Sequence, residues 1–108
     1  MFNIFFEDES IKSLKKFIDS YKRTFIRMIE DSGLEVENYL INSYIELGNK
    51  LYSTIVSEIK NNFQNDVLFG RNEKYLVLSV NKFRLFVYYE ENQELKERYI
   101  LDIEFFKK

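Results

Sequence analysis

Residues 98–106 read Arg-Tyr-Ile-Leu-Asp-Ile-Glu-Phe-Phe, and they form the clearest β-strand pattern in this chain of 108 residues. Apolar and polar side chains alternate along the stretch, and successive side chains of a strand point to opposite faces of a sheet. The apolar set is Tyr99, Leu101, Ile103 and Phe105, and the polar set is Arg98, Asp102 and Glu104. The alternation predicts that the apolar set faces a core and that the polar set faces solvent.

Two further strand patterns precede this stretch. Residues 74–80 and 83–90 are rich in apolar and aromatic side chains, and the Asn81-Lys82 pair between them predicts a tight hairpin turn. The polar residues 91–94 predict a looser turn before the last strand. These patterns together predict an antiparallel meander of three strands at the C-terminal end.

A short strand and a helix are predicted at the start of the chain. Residues 2–6 show a strand-like alternation, and a helix start follows at Asp8-Glu9-Ser10. Apolar residues then recur three and four positions apart as far as Met28, which predicts one apolar stripe along the helix. Gly33 is a natural end for this helix, because glycine adopts the left-handed conformation that closes many helices.

A second helix is predicted from about residue 35 to about residue 62. Its apolar residues cover a broad face, so it needs cover on two sides, from the first helix and from a sheet or a partner. The main stripe includes Leu47, Leu51, Ile55 and Ile59. Gly48 lies inside this helix at a cost of about 1 kcal/mol relative to alanine. It indicates either a close contact between helices or a weak point.

The order of these elements predicts an α+β fold in two layers. The predicted parts are an N-terminal strand, a two-helix hairpin and a C-terminal antiparallel three-stranded meander (β-α-α-β-β-β). The chain is 45% hydrophobic and 31% charged, which is typical of a folded globular protein. Residues 1–108 contain no linker or low-complexity segment, so a single domain is expected.

The residue types that are missing exclude several kinds of site. The chain has no cysteine and no histidine, so the most common nucleophiles, general bases and zinc ligands are lacking. Its three glycines are too far apart for a phosphate-binding loop. The sequence therefore disfavours an enzyme and predicts neither a metal site nor a cofactor.

Composition also bears on where the protein works and where it comes from. No apolar run approaches the roughly 20 residues that span a bilayer, and the first residues lack the basic leader of a signal peptide. A cytoplasmic location without membrane contact is expected. Alanine and proline, which have GC-rich codons, are absent. This indicates an AT-rich genome, such as that of a low-GC bacterium, its phage or its plasmid.

Charge is unevenly distributed, although the formal net charge is only −2. That net charge disfavours nucleic acid as the partner, since nucleic-acid-binding domains usually carry a basic excess. Lys12, Lys16, Arg23 and Arg27 nevertheless fall on one face of the first helix, here called the basic face. The basic face could follow a phosphate backbone or meet an acidic partner, and the favoured interpretation is a solvated outer surface.

Aromatic residues make up an unusual 18% of the chain. Tyr88 and Tyr89 are neighbours in one strand, as are Phe105 and Phe106, so each pair points to both faces of the sheet. A sheet covered on one side leaves one ring of each pair exposed or buried against a partner. The predicted partner-binding residues are Phe86, Tyr88, Phe106 and Tyr52.

The strand Phe83-Arg84-Leu85-Phe86-Val87-Tyr88 is similar to the aromatic-Arg-aliphatic signature of the RelE/ParE family of bacterial toxins. The order of elements resembles that family over the whole chain, and residues 74–78 and 99–103 resemble its flanking strands. The resemblance implies a helical hairpin packed on an antiparallel sheet. It also implies the toxic half of a toxin–antitoxin pair.

The ribonuclease branch of that family presents several basic side chains from its sheet, and this chain departs from the pattern. The strand before Arg84 reads Leu76-Val77-Leu78, without lysine. Arg84 could cleave RNA with other cations, or it could pack its stem on the sheet. The candidate catalytic residues for a ribonuclease are Arg84, Lys74 and Lys107, with Arg71 and Lys108 beside them. The branch that poisons DNA gyrase by binding it is therefore the better analogy.

Three functions are compatible with the sequence. The favoured one is a small protein-binding protein of RelE/ParE type, which binds a host macromolecule and is neutralised by an antitoxin. The first alternative is a phage-encoded inhibitor of a host defence or host machine, of the anti-CRISPR type. The second is an mRNA-cleaving ribonuclease of the RelE type. The expected partner is a protein, either an antitoxin or a host target, with a homodimer as a further alternative.

Overall fold

The computed structural model describes residues 1–31, 38–68 and 74–107 of the protein. These residues form a strand, two helices and three further strands, so the predicted α+β order β-α-α-β-β-β is confirmed. The elements are β1 (Asn3–Phe6), α1 (Asp8–Asp31), α2 (Asn38–Phe63), β2 (Tyr75–Val80), β3 (Phe83–Asn92) and β4 (Glu97–Lys107). The predicted helix end at Gly33 and the predicted helix start near residue 35 lie outside the described residues.

The strands form one open sheet in the order β1-β4-β3-β2. β2, β3 and β4 are the predicted antiparallel meander, and β1 runs parallel to β4 on its outer side. Asn81 lies in the predicted tight turn with a φ of 53°, a left-handed conformation that asparagine tolerates well. The second turn follows Asn92 and ends at Lys96, two residues later than predicted.

One hydrophobic core lies between the helices and one face of the sheet. α1 contributes Leu14 and Ile18, and α2 contributes Leu51, Ile55 and Ile59. The buried apolar residues of the strands are Leu76, Leu78, Val80, Leu85, Val87, Tyr89, Ile100 and Ile103. The predicted two-layer arrangement follows, because both helix stripes are buried by the same sheet face.

Met28 of the first predicted helix stripe and Leu47 of the second are exposed instead of buried. Met28 is 64% exposed and Leu47 is 50% exposed. Tyr21 of α1 already meets Phe83 at the first position of β3, with ring centroids 6.1 Å apart. The helical hairpin therefore continues past the end of the sheet, and none of the described strands lies beneath its distal apolar residues.

Gly48 marks a close contact between α1 and α2. A Cβ atom added at Gly48 would lie 2.5 Å from Cε and 2.7 Å from Cγ of Lys22. The Lys22 side chain crosses α2 at this point, and its Nζ donates to Oδ1 of Asn49 at 2.8 Å. Glycine leaves the space that the lysine stem occupies, so the close-contact interpretation is confirmed.

A β-bulge interrupts β4 where it pairs with β3. Tyr88 pairs with Asp102 whereas the next residue, Tyr89, pairs with Ile100, so Leu101 is left without a partner residue. An extra residue in one strand shifts the alternation of side chains between the two faces. The faces of β4 therefore differ before and after Leu101.

This bulge makes part of the predicted alternation wrong. Before it, Arg98 and Ile100 are buried in the core, whereas Tyr99, predicted to be in the core, lies on the opposite face. After it, Ile103 and Phe105 face the core as predicted. Arg98 was expected to face solvent, and the structure buries it to an exposure of 1%.

Arg98 is the largest fully buried side chain of the described residues. Its Nε donates to Oε1 of Glu91 on β3 at 2.8 Å. Nη1 donates to the carbonyls of Phe63 and Asn65, and Nη2 donates to the carbonyl of Asp66 at 3.2 Å. The last carbonyls of a helix lack partners within the helix. Arg98 therefore caps the end of α2 from the sheet.

The same guanidinium also holds the start of the chain. Its Cζ lies 3.6 Å from the ring centroid of Phe2, a cation–π contact that burial strengthens. The amide of Phe2 donates to the carbonyl of Gln64 at 3.0 Å, and the Nζ of Lys96 lies 5.0 Å from the same ring. The entry to β1 and the exit from α2 are therefore joined at Arg98.

Replacing Arg98 should destabilise the fold far more than replacing an exposed arginine. In Arg98→Met the apolar stem is kept, but the carbonyls of Phe63, Asn65 and Asp66 and the Oε1 atom of Glu91 lose the hydrogen bonds that Arg98 donates. Removal of one partner of a buried ion pair costs about 3–5 kcal/mol. The free energy of unfolding, measured in urea at neutral pH, should fall by about that amount.

Arg84→Met is the matched control, because Arg84 is exposed on the neighbouring strand β3. Substitutions at such surface positions usually change the free energy of unfolding by less than about 0.5 kcal/mol. A loss in Arg98→Met no larger than the loss in Arg84→Met would show that the buried guanidinium does not hold these elements together.

Candidate functional site

The face of the sheet turned away from the helices, here called the open face, is uncovered in the described part of the chain. Along β2, buried residues that face the helices alternate with more exposed residues that face the other way. Phe5 and Phe106 on the open face are 45% and 46% exposed. The larger side chains of the open face are Phe5, Tyr75, Val77, Arg84, Phe86, Tyr88, Tyr99, Glu104 and Phe106.

Four aromatic side chains of this face, Tyr75, Phe86, Tyr88 and Phe106, touch one another and are called the aromatic cluster. The rings of Tyr75 and Phe86 are stacked, with centroids 5.2 Å apart and an interplanar angle of 4°. Phe86 lies 5.1 Å from Phe106, and Tyr75 lies 5.6 Å from Tyr88. Offset and tilted ring pairs at these distances are attractive. The rings therefore hold one another in place across β2, β3 and β4.

The aromatic cluster has an apolar neighbour and two charged ones. Val77 pairs with Phe86 across β2 and β3 and is 39% exposed. On the other side, Glu104 pairs with Phe86, and Arg84 pairs with Phe106. The surface is thus an apolar centre with charge at its border, which is the usual arrangement of a protein-binding site.

The carboxylate of Glu104 changes the acidity of the cluster. The phenol of Tyr88 donates a hydrogen bond to Glu104, which raises the pKa of Tyr88, and partial burial and the nearby negative charge raise it further. A phenolate beside a carboxylate is disfavoured for the same reason. Tyr88 therefore remains a neutral hydrogen-bond donor well into the alkaline range.

Tyr99 and Phe5 form a second ring pair on the open face, next to β1. Their centroids lie 5.5 Å apart, and the planes are nearly parallel at 22°. The phenol of Tyr99 donates to Glu97, which raises the pKa of Tyr99. The open face therefore carries aromatic side chains on all of its strands.

Three of the predicted partner-binding residues lie together and the fourth does not. Phe86, Tyr88 and Phe106 are members of the aromatic cluster. Tyr52 lies on α2, packs against the core from the helix side, and lines a shallow pocket beside Lys22. The structure thus separates Tyr52 from the other three by the whole thickness of the sheet.

The sequence prediction missed Tyr75 and Val77. A signal for Tyr75 was present, because a two-residue turn at Asn81-Lys82 sets the register of β2 against β3. That register places Tyr75 opposite Tyr88, as the structure shows.

The candidate ribonuclease residues are not brought together. Arg84 lies on the open face opposite Ser79. Lys74 lies just before β2, five positions from Ser79, which is about 16.5 Å at 3.3 Å per residue. Lys107 pairs with Phe83, whose ring packs against α1, so Lys107 belongs to the helix side. The two remaining candidates, which lie outside the described residues, are Arg71 and Lys108.

The basic face of α1 is exposed, as its solvated interpretation predicts. Lys12, Lys16, Arg23 and Arg27 are all exposed, and Nζ of Lys12 lies 3.5 Å from Oε1 of Glu9. These residues belong to the helix layer, so they cannot add positive charge to the open face. The two surfaces are independent.

The described residues contain neither a group of metal ligands nor a membrane-spanning helix. Among residues 1–31, 38–68 and 74–107, no group of three or more acidic side chains is placed to hold a metal ion. No helix in these ranges is long and apolar enough to cross a bilayer.

Comparisons with protein-family models, curated proteins and solved structures gave no match to this chain. The resemblance to RelE/ParE toxins therefore stays a prediction.

The contact between Tyr88 and Glu104 predicts a specific pH dependence. The pKa of Tyr88 is raised in the folded protein. The interaction of the neutral Tyr88 phenol with Glu104 therefore contributes fully to stability below the ordinary tyrosine pKa of about 10. That contribution is lost as the pH rises through the higher, folded value. In Glu104→Gln the pKa of Tyr88 should fall toward its ordinary value, as followed by an NMR titration of the tyrosine ring carbons.

Tyr99 provides the control in the same spectra, because its raised pKa is caused mainly by Glu97 and not by Glu104. The Tyr99 titration should be unchanged in Glu104→Gln. A Tyr88 titration that does not move in this variant would disprove the contact.

Proposed function

We propose that this chain is a protein-binding protein that docks its partner on the aromatic cluster of the open face. The observation that carries the proposal is the mutual contact of Tyr75, Phe86, Tyr88 and Phe106 on a sheet face that no described element covers. Clusters of exposed large apolar side chains with a polar border mark interaction sites more often than isolated exposed residues do.

The rigidity of this surface favours tight binding. Aromatic side chains provide most of the binding energy at many interfaces because they bury a large area and have few rotatable bonds. Here the rings are carried by hydrogen-bonded strands and are already stacked on one another. Little conformational entropy remains to be lost when a partner binds.

We further propose that the chain acts as a RelE/ParE-type toxin. The toxin binds a host macromolecule, and an antitoxin neutralises it. The element order β-α-α-β-β-β supports this proposal, because it is the order that the resemblance implies. The distribution of basic side chains supports the binding branch more than the ribonuclease branch, since Lys74, Arg84 and Lys107 lie apart.

Expression in a bacterial host tests the proposal. The native chain should arrest growth, and co-expression of the adjacent small gene of its operon should relieve the arrest. The double variant Phe86→Thr/Phe106→Thr removes two rings but keeps strand propensity, since threonine is favoured in strands. The loss of each ring should weaken binding to the neighbouring gene product by at least about thirtyfold. The double variant should therefore no longer arrest growth.

Val67→Thr/Leu95→Thr is the matched control. Val67 and Leu95 are 62% and 61% exposed, and both lie outside the open face. This control should behave as the native chain does. Harmless expression of the native chain would rule out the toxin, and unchanged binding by the cluster variant would rule out the docking surface. A stoichiometric complex with a host nuclease or polymerase, without toxicity, would identify the phage-inhibitor alternative.

A further inference from the structure

The two edges of the sheet are built differently. Among the described residues, one edge consists of β1 and the part of β4 beyond it, and the other consists of β2. The edge of a sheet presents unpaired backbone groups that can bind another strand, and proteins usually protect their edges. The less protected of the two edges is therefore the better candidate for pairing with another strand.

The β1–β4 edge is protected in several ways. β1 is only four residues long and pairs with β4 no further than Ile100. The bulge at Leu101 follows, and then the carboxylate Oδ1 of Asp102 accepts the amide of Ile103 at 2.8 Å and the hydroxyl of Ser13 at 2.6 Å. A short edge strand, a bulge and a side chain that occupies a backbone donor all hinder strand addition.

β2 has none of these protections. Its six residues, Tyr-Leu-Val-Leu-Ser-Val, include no charged residue and no proline. All six pair with β3 without a bulge, so the strand is regular. Among the described residues, no strand pairs with its outer side. Such an apolar, regular edge strand is ready to accept another strand.

The hydrogen bonds show which groups of β2 point outward. The amide of Tyr89 donates to the carbonyl of Lys74 at 3.3 Å, and hydrogen-bonded pairs recur at every second residue of an antiparallel ladder. The even-numbered residues of β2 therefore bond to β3. The amides and carbonyls of Tyr75, Val77 and Ser79 point away from the sheet.

We propose that β2 pairs antiparallel with β2 of a second copy of this chain, which joins two sheets into one continuous sheet. Pairing about Val77 would form about six backbone hydrogen bonds, two at Val77 and four between Tyr75 and Ser79 of opposite copies. This inference goes beyond the proposed docking on the aromatic cluster, since it concerns the edge and not the open face.

Self-pairing fits the side chains of β2 on both faces. On the open face Val77 meets Val77, and the large Tyr75 meets the small Ser79. On the helix side Leu76 meets Leu78, which extends the apolar layer from one copy to the next. No charge of the strand opposes a like charge. Once the β2 edges are used, only protected edges remain, so assembly stops at two copies in a closed two-fold dimer.

Analytical ultracentrifugation of the purified chain tests the proposal at concentrations from about 1 to 100 µM. The native chain, 13.2 kDa, should sediment with the mass of two copies. Val77→Pro removes an outward amide while leaving the bonds to β3, because proline is tolerated where the amide faces out of an edge strand. This variant should sediment with the mass of one copy. Val77→Lys places two positive charges opposite each other in the paired strands, so it should also sediment with the mass of one copy. It replaces the proline variant as the test if that variant does not fold.

Phe5→Lys is the matched control, since Phe5 is an exposed apolar residue of the open face on the opposite edge of the sheet. It should remain a dimer, and so should the cluster variant Phe86→Thr/Phe106→Thr. A native chain that sediments as one copy at every concentration would overturn the proposal. So would dimers of both folded Val77 variants, or a dimer lost only in the cluster variant, which would place the contact on the open face.

Discussion

The buried guanidinium of Arg98 is the contact on which much of this fold depends. It bonds to Glu91 on β3, lies on the ring of Phe2 and donates to carbonyls at the end of α2 and in the turn that follows it. A buried charge is tolerated only when it is paired and hydrogen-bonded. The arginine must therefore point into the helix layer, and because side chains alternate along a strand, Tyr99 must point to the open face.

The bulge at Leu101 reconciles this arginine with the hydrophobic core. With Arg98 inward and an unbroken alternation, Ile103 and Phe105 would lie on the open face and leave the core unfilled. The extra residue returns both to the core, and it leaves Phe106 on the open face beside the rings of β2 and β3. The same irregularity also helps to close one sheet edge. The aromatic cluster and the difference between the edges thus have a common structural origin.

The element order could be predicted because helix and strand periods are local properties, and the turn at Asn81 carried its own signal. The burial of Arg98 could not be predicted, because its acceptor Phe63 lies 35 residues earlier in the chain and no local pattern links the two residues. Among the predicted partner-binding residues, the alternation of side chains along a strand was enough to place the aromatic residues of the strands on one face of the sheet. Tyr52 lies apart from them on α2, because a broad helical stripe does not reveal which of its flanks the other layers cover.

Exposure of the open face can be measured directly in the isolated protein. A soluble gadolinium chelate broadens NMR signals of atoms that solvent can approach. The ring signals of Phe86 and Phe106 should broaden strongly, whereas the methyl signals of Leu85 and Val87, which are 0% exposed, should stay sharp. Equal protection of the rings and the methyl groups would show that the face is covered, and it would contradict a docking surface there.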